Sequence, residues 1–309
     1  MAGKPARSTG GRFVIEAEEV KAMAKEAGVS AVRDLLPLLV PDAKRLARPP
    51  ISHYHVAAVG LGARGRIYVG VNLEFPGLPL NHSVHAEQFL VANAAAHGES
   101  SILCFAVSSF PCGHCRQFLQ EIRGAEEIEI LVTADADPAF RPLASLLPHH
   151  FGPYDLLHKG APRLLEPHHN ELGAVEAAKD NGTAGERLER RLREAAEGAA
   201  RASHAPYSGC PSGLAVADGR GRVYAGSYVE SAAYNPSLGP VQAAMIACLA
   251  VGGGEGESES GEYWDVAEAV LVEKEAAAVS QEATARIFLE AVAPSAHLKV
   301  YRFRSSAIV

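Results

Sequence analysis

Two short segments of the sequence carry side chains that could bind a metal ion and move protons. The first reads His85-Ala86-Glu87, and the second, after 23 intervening residues, reads Pro111-Cys112-Gly113-His114-Cys115. His85, Cys112 and Cys115 together offer one imidazole and two thiolates. Three protein ligands with a free fourth position are typical of a catalytic zinc site. We therefore expect one Zn²⁺ ion per chain at this site.

Glu87 is the candidate for proton transfer. It follows His85 by two residues, so it can reach the neighbourhood of the ion without binding it. Zinc lowers the pKa of a bound water to about 7, and a carboxylate beside that water can take its proton. His114 is an alternative fourth ligand that would close the site, but the tight Cys-x-x-Cys turn is expected to direct it away. A structural zinc knuckle or a redox Cys-x-x-Cys pair is the other interpretation.

Regular elements must bring the two segments together. Helices that begin at His85 and at Cys112 would point both groups of side chains at one spot, and their positive ends would help to keep the thiolates ionised. Hydrophobic periodicity predicts an alternation of helices and strands around one sheet. The predicted elements are a helical stretch over 16–46 with Ser30 as a helix N-cap, two strands within 55–72 separated by the loop 62–65, helices over 85–95 and 112–122, and strands over 102–107 and 128–132.

The second half of the chain repeats the first. A shift of 156 residues aligns Gly70 with Gly226 and Glu74 with Glu230, within a gapless match of about 25 residues. A predicted helix over 242–249 then stands where the helix at His85 stood. The chain is therefore expected to hold two copies of one domain.

The two copies differ in their polar residues. At the shifted positions, His85-Ala86-Glu87-Gln88 is replaced by Val241-Gln242-Ala243-Ala244, and no cysteine pair occurs near residues 282–285. The second copy thus retains scaffold residues and lacks the metal ligands. We expect it to pack against the first copy or to complete a wall of the site, without binding an ion of its own.

The remaining segments are predicted from composition. Residues 134–185 are expected to form an irregular linker, with solvated histidines in the pairs His149-His150 and His168-His169 and metal binding as the alternative. A charged helix is predicted over 186–202, with Leu188, Leu192 and Ala195 as its apolar stripe, and a flexible glycine-rich loop from residue 252. The basic first twelve residues are expected to be a disordered tail, or else a short targeting segment.

Overall composition narrows the class of protein. The chain has 309 residues, a net charge of −7 and five cysteines. No apolar run approaches the length of a membrane span, which favours a soluble protein, and the acidic balance argues against nucleic acid as a partner. An odd, small number of cysteines is typical of a reducing compartment, so a cytoplasmic location is expected. Cys104, Cys210 and Cys248 are interpreted as small buried hydrophobic residues.

His-x-Glu followed by Pro-Cys-x-x-Cys is the signature of zinc-dependent nucleobase deaminases. With Asn72-Leu73-Glu74-Phe75 ahead of it, the sequence resembles the cytidine deaminases of the large homodimeric type over nearly its whole length. The resemblance implies an α/β fold of two tandem three-layer α/β/α domains, the second degenerate, after an N-terminal helical segment. The expected boundaries are 1–48 for the tail and helical segment, 49–150 for the catalytic domain, 151–185 for the linker and 186–309 for the degenerate domain.

The resemblance also implies roles for residues around the metal. Asn72 and Glu74 would hold a ribose hydroxyl, although Glu230 in the second copy suggests a scaffold role for Glu74 as well. Tyr54 would pack on the base, with a plain core aromatic as the alternative. The other expected substrate contacts are Leu73 within the motif, the backbone of Ala86 and Pro111, and the aromatics Phe151 and Tyr234, which would complete the wall across the subunit interface of a homodimer.

The function that the resemblance implies is hydrolytic deamination of free cytidine and 2′-deoxycytidine to uridine and 2′-deoxyuridine, in pyrimidine salvage. Two alternatives remain open on the sequence. One is deamination of cytosine in RNA or DNA, which would require a basic, aromatic-lined groove. The other is a catalytically silent zinc protein that acts through binding.

Overall fold

The computed structural model describes residues 8–173, 182–252 and 264–304. The strands are β1 (Val14–Ile15), β2 (Ala57–Gly62), β3 (Ile67–Val71), β4 (Ile102–Val107), β5 (Glu129–Val132), β6 (Arg141–Pro142), β7 (Ser212–Ala217), β8 (Val223–Ser227), β9 (Glu268–Lys274) and β10 (His297–Phe303). The helices are α1 (Ala17–Ala27), α2 (Leu36–Ala43), α3 (Ala86–Ala96), α4 (Gly113–Phe118), α5 (Leu143–Leu146), α6 (Pro153–Leu156), α7 (Ala184–Arg201), α8 (Pro240–Gly252) and α9 (Glu282–Val292).

The strands form two sheets that share one four-stranded core topology. The first has the order β1-β3-β2-β4-β5-β6, and the second has the order β10-β9-β7-β8. In the first sheet, β2 pairs antiparallel with both β3 and β4, and β4 pairs parallel with β5. In the second sheet, β7 pairs antiparallel with both β8 and β9, and β9 pairs parallel with β10. The predicted internal repeat and α/β class are therefore confirmed.

Each sheet lies between two layers of helices. α2 packs on one face of the first sheet and α3 on the other, whereas α7 and α8 cover opposite faces of the second sheet. α3 and α8 also pack against each other, so they are covered on two sides. This explains why buried residues surround α3 instead of following one stripe. Among the described residues, no helix combines the length and apolar character that crossing a membrane requires.

The two copies align with a change of register that the sequence shift did not contain. Arg48 and His204 bridge to Leu73 and Val229, at the predicted offset of 156, but Leu73 and Val229 then bridge to Val84 and Leu238, at an offset of 154. The loop of the first copy is thus two residues longer. The prediction that Val241 replaces His85 and Ala243 replaces Glu87 was therefore wrong by two residues.

The corrected register changes which residues are equivalent. Gly239 takes the place of His85, and Val241 that of Glu87. Gln88 is retained as Gln242. The conclusion that the second copy lacks the ligands still holds, because Gln281 begins α9 where Cys112 begins α4.

Gly70 and Gly226 owe their repetition to close packing. A methyl group on Gly70 would overlap the Ala86 carbonyl oxygen and the Leu90 amide nitrogen of α3. One on Gly226 would overlap the corresponding backbone atoms of α8. Glycine at this strand position therefore lets the following helix lie directly on the sheet.

Three local predictions need correction. The disordered tail does not extend to residue 12, since Thr9 is fully buried and its backbone N–H and hydroxyl both donate to Asp42. Ser30 is not a helix cap, because a short 3₁₀ turn begins after Ala31 and the Ser30 hydroxyl bonds Asp34 instead. His168 is not simply solvated: its Nε2 lies 3.1 Å from the Arg163 carbonyl oxygen and 3.3 Å from Nδ1 of His204.

Other predictions hold in outline. Residues 134–173 contain one two-residue strand and two single-turn helices, as expected of an irregular connection. The charged helix α7 buries Leu192 as predicted, together with Ala196, Ala199 and Ala200. Residues 1–7 of the basic tail and residues 253–257 of the predicted glycine-rich loop lie outside the described residues.

Candidate metal centre and substrate site

The three predicted ligands converge. The Cys112 and Cys115 sulfurs are 3.7 Å apart, and His85 Nδ1 lies 3.4 Å from the first and 3.2 Å from the second. In the part of the chain that the structure describes, these residues form the one group of three or more His, Cys, Asp or Glu side chains close enough to share a metal ion. The grouping arises because His85 caps α3 and Cys112 caps α4, and both helices begin at the same end of the first sheet.

The spacing of these donor atoms fits zinc. Tetrahedral bonds of about 2.3 Å to sulfur and about 2.0 Å to nitrogen place two sulfurs about 3.8 Å apart and a sulfur and a nitrogen about 3.5 Å apart. The observed separations of 3.7, 3.4 and 3.2 Å lie close to these values. A set of three donors also leaves one tetrahedral position open, as catalysis requires.

The thiols and the imidazole influence each other's protonation. A hydrogen bond from Cys115, opposed by burial and assisted by His85, lowers the pKa of Cys112 to about 3. The same bond to Cys112, together with burial, raises the pKa of Cys115 well above its usual value. Hydrogen bonding to Cys112 raises the pKa of His85 against the opposing effect of burial. Cys112 is therefore a thiolate at neutral pH, and a metal ion would have to displace the proton of Cys115.

Glu87 lies beside the donor atoms but is not one of them. Its side chain is only 4% exposed, and its carboxyl group interacts with the Cys115 thiol in the field of His85 and Cys112. Burial raises the pKa of Glu87, which favours the protonated acid. A carboxyl group whose pKa is shifted toward neutrality can both accept and donate a proton.

His114 does not join the ligand set, as the Cys-x-x-Cys turn predicted. Its ring stacks on that of His85, with the ring centroids 5.2 Å apart and an interplanar angle of 27°. Burial and the neighbouring His85 lower the pKa of His114, so the ring is neutral at physiological pH. It supports the orientation of the ligand His85 from one side.

Asn72 and Glu74 hold the strand and loop that border the site. The Asn72 amide accepts from Val56 N–H and donates to the Tyr54 carbonyl oxygen, each at 2.9 Å. Glu74 accepts from the backbone N–H groups of Ile51 and Ser52 and from the Ser52 hydroxyl. Burial acts to raise the pKa of Glu74, but these hydrogen bonds outweigh it, so the pKa lies below its usual range. Both side chains remain partly exposed.

The predicted aromatic contacts are exposed. Tyr54 is 61% exposed and its hydroxyl lies 2.8 Å from that of Ser109, so the alternative of a core aromatic was wrong. Phe151 is tied to α4, because its carbonyl oxygen accepts a hydrogen bond from Gln117. Tyr234 is 67% exposed and adopts a positive φ of 60°, which is uncommon for a residue other than glycine.

The remaining predicted contacts are buried residues. Ala86 is the first residue of α3, and Pro111 directly precedes Cys112, so the backbone of both lies next to the metal ligands. Leu73 is fully buried, and both of its backbone polar groups pair with Val84. Its contribution is to fix the strand between Asn72 and Glu74.

Two polar residues near the site were not predicted from the sequence. Gln88 is buried in the first turn of α3, where its Oε1 accepts from His85 N–H and its Nε2 donates to the Pro236 carbonyl oxygen. Glu121 is completely buried just after α4. A signal for Glu121 was present, since a carboxylate in an apolar stretch requires buried partners.

Fold and site together define a zinc-dependent hydrolytic deaminase. Two family models, both described as the cytidine and deoxycytidylate deaminase zinc-binding region, match residues 33–131 and 143–286. The chain belongs to this family.

Individual relatives agree with the family models. The chain is 52% identical to "Cytidine deaminase 1" of Arabidopsis thaliana over 94% of its own length and 97% of that protein. It is 37% identical to "Cytidine deaminase" of Yersinia pestis over 93% of its length and 92% of that protein. Among solved structures, cytidine deaminase from Mycobacterium tuberculosis aligns at 30% identity with a TM-score of 0.35, over 38% of this chain and 96% of that one.

Proposed function

We propose that the protein hydrolyses free cytidine and 2′-deoxycytidine to uridine and 2′-deoxyuridine, releasing ammonia. The observation that carries this proposal is the buried carboxyl of Glu87 next to an open set of three zinc ligands. The relatives named cytidine deaminase, at 52% and 46% identity, support this choice of substrate.

His85, Cys112 and Cys115 would hold the zinc ion. When bound, zinc makes a water molecule nucleophilic at neutral pH. With zinc held there, Glu87 would take a proton from the attacking water and give it to ring N3 as the water oxygen adds to C4. It would then take the remaining proton of that oxygen and give it to the amino group, so that C4 becomes a carbonyl, the C4–N bond breaks and ammonia leaves. The raised pKa of Glu87 suits this exchange, because the group must accept a proton twice and donate a proton twice in one turnover.

Asn72 and Glu74 would contact a ribose hydroxyl. An amide and a carboxylate can accept a hydrogen bond from a sugar hydroxyl, whereas a carboxylate repels phosphate. The position of these residues directly after β3, partly exposed and held by the loop at Ser52, supports this assignment. It favours a nucleoside over a nucleotide.

Tyr54 would pack on the base, and the backbone of Ala86 and Pro111 would orient it. The 61% exposure of Tyr54 supports this role, because a ring that is not needed in the core is free to stack on a ligand. Phe151 and Tyr234 would close the site across a subunit interface.

We also infer a cytoplasmic homodimer acting in pyrimidine salvage. Several aromatic rings are exposed, among them Tyr54, Phe110 and Tyr234. They support an interface, because groups of exposed apolar side chains often mark the surfaces where proteins associate. The absence of disulfides among the five cysteines supports a reducing compartment. A monomeric mass by light scattering would contradict the dimer.

An absorbance assay tests the proposed reaction. Loss of the amino group changes the ultraviolet spectrum of the base, so purified protein is mixed in turn with cytidine, 2′-deoxycytidine, cytidine 5′-monophosphate and a cytosine-containing single-stranded DNA. We expect turnover of the two nucleosides and little of the others. Turnover confined to the DNA would favour the polynucleotide alternative, and a zinc-loaded protein inactive on all four would favour a silent binding protein.

A further inference from the structure

Glu121 joins the catalytic copy to the degenerate copy. Its carboxylate is completely buried and takes three partners, all from the second copy. Oε1 accepts from Ala232 N–H at 2.7 Å, while Oε2 accepts from the Tyr207 hydroxyl at 2.6 Å and lies 3.1 Å from His204 Nε2. Glu121 ends the 3₁₀ turn that directly continues α4, the helix that carries Cys115.

A second contact joins the degenerate copy to α3, the helix that begins at the ligand His85. Gln88 Nε2 donates to the Pro236 carbonyl oxygen at 3.1 Å, and Gln88 Oε1 accepts from the backbone N–H of His85. The segment 231–238 therefore contacts both elements that supply metal ligands, at Ala232 and at Pro236. We call it the clamp segment.

The clamp segment is itself well fixed. Backbone hydrogen bonds join its last residue, Leu238, to Val229, which lies two residues before its start, and Ser231 N–H donates to the Ser237 hydroxyl within it. Tyr234 in its centre has a φ of 60°, a conformation that persists only where the surroundings impose it. A rigid segment can transmit a defined position to the residues that it contacts.

Each copy places this segment against a helix of the other copy, but the two contacts differ in their chemistry. The equivalent segment of the first copy lies against α9, where the Phe75 and Phe288 rings meet at a centroid distance of 4.6 Å. That contact is apolar. Only the contact at the metal-bearing helix uses a buried carboxylate, whose hydrogen bonds fix direction as well as distance.

We propose that the degenerate copy acts as a positioning element for the metal centre, with Glu121 as the residue through which the clamp segment sets α4 against α3. This inference rests on the proposed function, because positioning presupposes a zinc ion held by His85, Cys112 and Cys115. Glu121 touches neither the metal ligands nor the substrate; it acts through the elements that carry them.

The test compares zinc release and kinetics in three variants of the full zinc-loaded chain. Glu121→Gln weakens the contact from the catalytic side, and Tyr207→Phe removes one donor from the degenerate side. Glu99→Gln is the matched control, because Glu99 is only 1% exposed but bonds Tyr68 and Ser100 within the first copy. Zinc release is followed with the chelator pyridylazoresorcinol, well below each variant's melting temperature.

We expect Glu121→Gln to release zinc about 10-fold faster and to lower kcat more than it changes KM, since groups that orient metal ligands typically affect affinity to this extent. Tyr207→Phe should act in the same direction and less strongly, although it lies in the copy without ligands. Glu99→Gln should lower the melting temperature without changing either quantity.

Wild-type zinc release and kcat in both Glu121→Gln and Tyr207→Phe would overturn the proposal and leave Glu121 a purely structural residue. If Glu121→Gln does not fold, Tyr207→Phe decides alone by the same criterion. A wild-type chain that binds no zinc would refute the proposed function first, so the two failures are distinguishable.

Discussion

Glu74 and Glu230 make the same local hydrogen bonds in the two copies. Glu74 accepts from two backbone N–H groups and from the Ser52 hydroxyl, and Glu230 accepts from two backbone N–H groups and from the Ser208 hydroxyl. Holding this loop is therefore a property of the scaffold. The proposed ribose binding by Glu74 is an additional role that only the catalytic copy needs.

The Glu74→Gln variant separates these two roles. We expect KM for cytidine to rise at least about 10-fold, because a hydrogen bond to a charged group contributes about 1.5–3 kcal/mol. Glu230→Gln is the matched control, since it weakens the same loop contact without facing a substrate, and its KM should equal that of the wild type. KM is measured by the absorbance assay. A wild-type KM in Glu74→Gln would show that Glu74 does not bind the ribose.

At the scale of residues, the sequence predicted the groups whose chemistry is local. His85, Cys112 and Cys115 could be assigned because type and spacing alone define a zinc ligand set. The partners of Gln88 and Glu121 could not be predicted, because Pro236 and Ala232 lie more than a hundred residues away along the chain. Their importance depends on how the two copies pack.

At the scale of elements, the contact between β3 and α3 sets where His85 begins its helix. Gly70 allows the Ala86 carbonyl oxygen to lie directly on the strand, and Gly226 does the same for Pro240 in the second copy. A side chain at either position would push the helix away from its sheet.

The variants Gly70→Ala and Gly226→Ala should each lower the free energy of unfolding by about 1–3 kcal/mol, the usual cost of overpacking. Gly70→Ala should also speed zinc release, because it displaces the helix that starts at His85, and Gly226→Ala should speed it less, because it displaces α8, which follows the clamp segment and packs on α3. Urea denaturation and chelator competition measure the two effects. Gly198→Ala, with open space around the added methyl group, serves as a control that leaves both unharmed. Zinc release no faster in Gly70→Ala than in Gly198→Ala would contradict this account.

Elements were predicted where the hydrophobic pattern was continuous. The strand over 102–107 matches β4, and the helix predicted over 85–95 matches α3 within one residue. The register between the copies was missed because the two-residue difference falls in a surface loop, where insertions cost little and leave no periodic signal. The prediction of Ser30 as an N-cap was wrong because its hydroxyl donates a hydrogen bond to the Asp34 carboxylate.

At the scale of the whole molecule, His168 connects the region between the copies to His204 of the second copy. Burial, and then the nearby His204, lower the pKa of His168 to about 4 from an ordinary value of 6.5. The unfolded chain therefore binds a proton between these pH values that the folded chain does not bind. The free energy of unfolding therefore decreases as the pH falls from 6.5 toward 4.

His168→Gln should remove this part of the pH dependence. Between pH 7 and pH 5 we expect the free energy of unfolding to fall by about 2 kcal/mol more in the wild type than in the variant, because proton binding is linked to folding. Urea denaturation at the two pH values measures the difference. His169→Gln, which alters the exposed neighbour, should behave as the wild type. Parallel pH profiles for the wild type and His168→Gln would show that His168 does not titrate in this way.

The assignment of chemistry to one copy of a two-domain chain is tested most directly by Glu87→Gln. Zinc content and cytidine turnover should be measured on this variant, on Cys112→Ala and on the wild type. We expect one zinc ion per chain in the wild type and in Glu87→Gln, with turnover nearly abolished in Glu87→Gln because nothing carries the proton. Cys112→Ala should lose both metal and activity. A Glu87→Gln variant that kept a tenth of wild-type turnover, or a Cys112→Ala variant active without zinc, would contradict the account.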